Sequence, residues 1–173
     1  MNKQNPLTRL ALAAALAMAA QGAWAQSEIK IGYNSDMSAS GSADFGVSAL
    51  SGARQAAEEI NAAGGVLGKK IVIVPRDDVG SPPKSIQNAN ELVDNEKVVA
   101  MLGGVNSGNM LAWLHIVQQK KIPTISPSAT ATEITNRYSK EPANYIFRVS
   151  MRDLDQITPV SYTHLTLPTT PYV

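Results

Sequence analysis

Strand-like runs alternate with helix-like stretches along this chain, at connections of only a few residues, and that alternation constrains the fold more than any other feature. Ile29-Lys30-Ile31-Gly32-Tyr33 has the period-two pattern of a strand. A Ser- and Gly-rich loop follows from Asn34 to Phe45. Val47, Leu50, Ala53, Ala57 and Ile60 then recur three or four apart and predict a helix with one apolar face. Gly64-Gly65 stops it, since glycine accepts the left-handed conformation at a helix end. Gly68-Lys69-Lys70 turns the chain into Ile71-Val72-Ile73-Val74, a β-branched run that predicts a strand buried on both faces.

Ser81-Pro82 predicts the next helix start, with Ser as cap and Pro in the first turn. Ile86, Ala89, Leu92 and Val93 form its buried side. Val98 to Leu102 is a third strand, closed by Gly103-Gly104, and Met110, Leu111, Leu114 and Val117 mark a third helix. Ile122 to Ile125 and Tyr145 to Val149 supply two more strands, with a short helix over Thr132 to Asn136 between them. This order predicts an α/β fold, a doubly wound parallel sheet with right-handed crossovers and helices on both faces. Ligands of such sheets sit at the carboxyl ends of the strands. Four loops are therefore candidates: Asn34–Phe45, Arg76–Gly80, Gly103–Ser107 and Ser126–Thr130.

These loops carry hydroxyls and little positive charge. Ser35, Ser38, Ser40 and Ser42 fill the first, Asn106 and Ser107 end the third, and Ser126, Ser128 and Thr130 fill the fourth. Ser107 and Thr130 lie near the starts of following helices, where free N–H groups and the helix dipole favour an anion. Hydroxyls there can donate to a carboxylate or accept from an ammonium. The same residues serve equally as plain helix caps. The favoured guest is small and zwitterionic or neutral.

Composition excludes much else. The 173 residues contain no cysteine, which removes disulfides, zinc–thiolate sites and thiol catalysis together. The 15 Lys and Arg stand against 14 Asp and Glu, so no basic field marks a nucleic-acid partner. No phosphate loop and no Gly-x-Ser-x-Gly elbow occurs; in Gly104-Val105-Asn106-Ser107-Gly108 the serine falls one position late. His115 lies on a predicted helix as a surface or packing residue. Asp77-Asp78 is read as a loop cap beside a solvated acid, and no metal or cofactor is expected. An enzyme on this sheet would lack a triad, a metal cluster and a phosphate loop.

The two ends read differently from the body. Lys3 and Arg9 precede an apolar run from Leu10 to Ala20, and Ala23-Trp24-Ala25 offers small residues around a cut. That is the order of a secretory signal peptide cleaved after Ala25. The run falls short of the roughly 20 residues that span a bilayer. The expected mature protein is exported, soluble and without a membrane anchor. From Thr158 to Val173, eight of 16 residues are Thr or Pro. This tail resembles translated adapter read-through, with a natural Thr/Pro linker as the alternative, and is expected to be disordered. The domains are then a signal peptide over 1–25, a ligand-binding lobe over 26–157, and a foreign tail over 158–173.

From Glu28 to about Gln156 the chain resembles the type I periplasmic binding proteins of the branched-chain amino acid family, the solute receptors of ABC importers. The resemblance is carried by Ile29–Tyr33, by Gly52-Ala53 with Glu59-Ile60-Asn61-Ala62-Ala63-Gly64-Gly65-Val66, by Arg76-Asp77-Asp78, and by Ile125-Ser126-Pro127-Ser128-Ala129-Thr130. It implies a periplasmic, two-lobed receptor that closes on a small amino-acid-like ligand and delivers it to ABC permease subunits, of which this chain holds the first lobe. It also implies roles. Ser107 binds the α-carboxylate, Thr130 contacts both ligand ends, the Ser128 carbonyl takes the ammonium, Ala129 lines the same loop, and Phe45 overhangs the pocket. A sensing domain of a signalling receptor, or a receptor for amides or urea, would share these first-lobe motifs.

Overall fold

The structure is a computed structural model and describes residues 28–39 and 41–158. The expected signal segment, Ser40 and the tail beyond Thr158 lie outside the described residues. Five strands form one parallel sheet: β1 (Ile29–Ser35), β2 (Ile71–Asp77), β3 (Ala100–Gly103), β4 (Thr124–Ser126) and β5 (Ile146–Arg148). Their order is β2-β1-β3-β4-β5. The helices are α1 (Ala43–Ala62), α2 (Pro82–Asn90), α3 (Ser107–Lys120) and α4 (Glu133–Asn136). A further helical turn covers 153–158, so Thr158, the first residue of the expected tail, is helical and its hydroxyl donates to the Leu154 carbonyl at 2.7 Å.

The chain steps outward from β1 to β2 and then crosses back over β1 to reach β3. With right-handed crossovers, that reversal places α1 on one face and α2 to α4 on the other. The second face holds the core. Ala89, Leu92, Val93, Val98, Met101, Met110, Trp113, Leu114, Val117, Ile134 and Ile146 form one buried cluster. Gly32 permits its close approach to the sheet, because a Cβ there would lie 2.4 Å from the Met101 sulfur. On the first face α1 leaves an apolar crevice of about 140 Å³ between Ala53, Ala56, Ala57 and Ile60 above and Ile31, Ile71, Ile73 and Leu102 below. Beyond it the face is open, with Ile125 39% and Phe147 53% exposed.

The predicted elements recur with three corrections. First, β2 is an edge strand, and every one of its residues is only half-buried. The β-branched run therefore did not signal burial on both faces. Second, Ser81 occupies the cap position of α2, but its side chain makes no capping hydrogen bond. Third, the helix that Leu92 and Val93 continue is not α-helical there. Glu91–Asn95 forms a π turn, closed by the Glu96 N–H donating to the Glu91 carbonyl at 3.0 Å. On α1, Leu50 and Ala57 are buried as expected, whereas Val47 and Ile60 are 50% and 41% exposed. Its stop is as read: Gly64 and Gly65 take φ of 104° and 75°, and the Gly65 N–H reaches back to the Ile60 carbonyl.

Candidate functional site

The carboxyl ends of β1, β3, β4 and β5 meet beside the point where the strand order reverses. Backbone bonds tie their loops together. Gly104 donates to the Asn34 carbonyl at 3.1 Å, and Ala129 donates to the Gly104 carbonyl at 3.1 Å. Val105 donates to the Ser35 hydroxyl at 3.3 Å. Gly104 has φ of 83°, and a Cβ there would sit 2.5 Å from Met110, so only glycine lets β3 turn this closely over α3.

Asn106 caps α3, its Oδ1 accepting from Gly108 and Asn109 at 3.0 and 3.4 Å. Ser107 is thus the first helical residue. Its Oγ accepts the Ala131 N–H at 3.2 Å. A hydroxyl that accepts in this way keeps its own proton to donate. The loop from Pro127 to Thr132 brings Ser128, Ala129 and Thr130 to the same end of the sheet. Ala129 is buried, and Ser128 and Thr130 are half-exposed. The carbonyls of residues 129 to 131 are all engaged. Ala129 accepts from the Ser126 and Ser150 hydroxyls, Thr130 from Arg148 and the Asp153 N–H, and Ala131 from Arg148 and the Ile134 N–H.

The structure therefore unites Ser107 with the 128–130 loop. Phe45 stands apart. The first loop is shorter than expected, because α1 already begins at Ala43, and Phe45 is a first-turn helix residue, 64% exposed. Arg148 and Ser150 were not among the candidates, since the loop after the fifth strand was not counted. A basic residue closing a short strand, with no acid beside it in sequence, is the signal that marks them.

Asp77 and Asp78 also differ from expectation. Neither is simply solvated. Asp77 accepts from the Met37 and Val79 N–H groups and from the Ser38 hydroxyl, which pins the first loop to the end of β2. Asp78 is 1% exposed and accepts from Gly80 and from the Asn109 side chain, both at 3.0 Å. Asp36 lies within 4.8 Å of both and caps Ser38 and Ala39. Burial pushes the Asp78 carboxyl up, and the charge of Asp36 adds to this against the hydrogen bonds from Ser85, Gly80 and Asn109. Burial also acts to raise Asp77, but the bonds from Ser38, Val79 and Met37 outweigh it and hold that carboxyl below its ordinary value. A carboxyl depressed in the folded state adds stability at neutral pH that is lost as pH falls through its folded value. Asp77→Asn is expected to lower the urea midpoint at pH 7. The gap to the parent chain should close below the ordinary aspartate range. A gap that persists unchanged in acid would show that the carboxylate charge is not the cause.

The sheet order and its helices on two faces define a doubly wound α/β lobe. The family described as "Periplasmic binding protein" matches residues 28–160, and the chain belongs to it. It is 37% identical over 114 residues to an amino acid binding protein of Pseudomonas aeruginosa, covering 66% of this chain and 29% of that one. It is 35% identical over 154 residues to the leucine-specific-binding protein of Salmonella typhimurium, covering 89% of this chain and 40% of that one. Among solved structures it is similar to the branched-chain amino acid transporter substrate binding protein LivJ of Streptococcus pneumoniae in complex with isoleucine, with a TM-score of 0.65 and 32% identity. That match covers 73% of this chain and 34% of the other. The chain thus matches well under half the length of these relatives. Among the described residues no helix is long and apolar enough to cross a membrane.

Proposed function

We propose that this chain is the first ligand-binding lobe of an exported solute receptor of an ABC importer. It captures a branched-chain or related amino acid against a second lobe and delivers it to the permease. The observation that carries the reading is the union of Ser107 at the start of α3 with the Ser128–Thr130 loop. The Ser107 hydroxyl retains a proton for the ligand carboxylate, beside first-turn N–H groups that favour negative charge. Neither the Ser128 carbonyl nor the Thr130 hydroxyl spends itself on a hydrogen bond among the described residues, so each is left for the ligand's ammonium or carboxylate. Names of relatives agree in class: an amino acid binding protein and a leucine-specific-binding protein. Residues 1–25 act as the export signal, which places the receptor in the periplasm. No bond is made or broken; function consists of capture, closure and delivery.

The test is isothermal titration of leucine, isoleucine and valine into the protein translated from the gene through its own stop codon. Saturable binding is expected. Ser107→Ala and Thr130→Ala should each weaken it roughly ten- to a hundredfold, since a hydrogen bond to a charged group contributes about 1.5–3 kcal/mol. Binding that ignores both substitutions would remove the assignment of these residues.

A further inference from the structure

Arg148 ends β5, and its guanidinium faces carbonyl oxygens where a carboxylate would be the ordinary partner. Nη1 donates to the Thr130 carbonyl at 3.0 Å and Nη2 to the Ala131 carbonyl at 2.6 Å. Its Nε is buried without a partner, and among the described residues no acid forms an ion pair with it. A half-buried guanidinium committed to two neutral carbonyls gives up part of its hydration without an acid in direct contact, and what it gains is a fixed geometry for those carbonyls.

The geometry leads to Ser107. A trans peptide points its C=O and its N–H in opposite directions. The Thr130 carbonyl and the Ala131 N–H belong to one peptide unit. Holding that carbonyl from behind, with Arg148 and the Asp153 N–H at 2.9 Å, aims the Ala131 N–H forward to the Ser107 Oγ at 3.2 Å. Hydrogen bonds in such a chain polarise one another, and a charge at its head strengthens the N–H at its end. One lone pair of Ser107 is then committed, which fixes the directions left to the hydroxyl proton. The neighbouring peptide is anchored likewise: Ser150 donates to the Ala129 carbonyl at 2.8 Å, and the Thr130 N–H points the opposite way.

We infer that Arg148 is a positioning residue that sets the donor direction of the Ser107 hydroxyl through the Thr130–Ala131 peptide. The inference deepens the proposed binding role of Ser107 and rests on it. Lysine cannot replace the fork, because a single ammonium does not span two carbonyls in a fixed plane.

Amide hydrogen exchange by NMR on the 173-residue chain tests the geometry without any ligand. In Arg148→Lys the amides of Ala131 and Asp153 should exchange roughly tenfold faster, the loss of one charge-assisted bond, while the amides of Trp113 and Leu114 in the core keep their rates. Unchanged local amides would overturn the inference. So would a uniform acceleration of all amides, which is the signature of simple support for the fold. The functional arm is a double-mutant cycle of leucine affinity in the complete gene product. If Arg148 acts through Ser107, Arg148→Lys should weaken binding in the parent but add little to Ser107→Ala. Additive losses would overturn it. If the complete product binds no amino acid at all, the proposed function fails, and the exchange result still decides the geometry.

Discussion

Trp113→Ala is expected to cost about 3–5 kcal/mol, the range for removing a fully buried large side chain. Trp113 sits on α3 with no exposed surface, within the cluster that α2, the π turn and α4 build against Met101 and Ile146. The whole stability of a domain this size is roughly 5–15 kcal/mol, so the loss takes a large share of it. The cost falls on this face of the sheet because α3 is the layer through which the helices there make contact. The companion Trp113→Phe should cost much less. The indole N–H is buried and has no hydrogen-bond partner, so replacing it with an apolar ring removes an unsatisfied donor while keeping most of the volume. Urea unfolding followed by circular dichroism measures both. Equal losses in the two variants would mean that the indole N–H contributes more than its surroundings suggest.

The architecture was legible because its signals are local. Period-two apolar residues at Ile29–Tyr33, the Gly64-Gly65 stop and the three-or-four spacing on α1 and α3 each fix an element without reference to the others. What depends on neighbours was not legible. Ile71–Val74 looks like an interior strand, yet the strand order puts it at the edge, and order is a property of the crossovers. Glu91–Asn95 hides a π turn because Ala89, Leu92 and Val93 are buried in the correct sequence whether the turn holds an extra residue or not. The candidate site shows the same division. Ser107 and the Ser128–Thr130 loop could be placed at one end of the sheet because a carboxyl-end loop is predictable from the alternation alone. The start of α1 at Ala43 was not legible, because a Ser- and Gly-rich stretch gives no clear first helical residue, so Phe45 falls in the helix and not in the loop. Arg148 escaped because its partners are backbone carbonyls, which leave no mark on a sequence.

The 173-residue chain by itself is expected to bind leucine too weakly for a saturating heat signal, while the complete gene product binds it saturably. In the proposed reading this lobe offers a zwitterion the Ser107 hydroxyl, the Thr130 hydroxyl and the Ser128 carbonyl, on a surface open to water on one side. In the same reading a second lobe would add an acidic partner for the ammonium and enclose the side chain. A hydrogen bond to a charged group contributes about 1.5–3 kcal/mol, so the ammonium's partner alone accounts for very roughly ten- to a hundredfold in affinity. Covering a leucine side chain contributes a further 1.5–3 kcal/mol or so. Each factor multiplies the other, and hinge closure brings them together in one step. Parallel calorimetric titrations of the two proteins with leucine decide the matter. If both bind equally well, the first lobe is a sufficient receptor and capture between lobes is wrong. If neither binds any branched-chain amino acid, the ligand lies in another class that the same hydroxyl-lined mouth accepts, and the carboxylate role of Ser107 is the first assignment to give up.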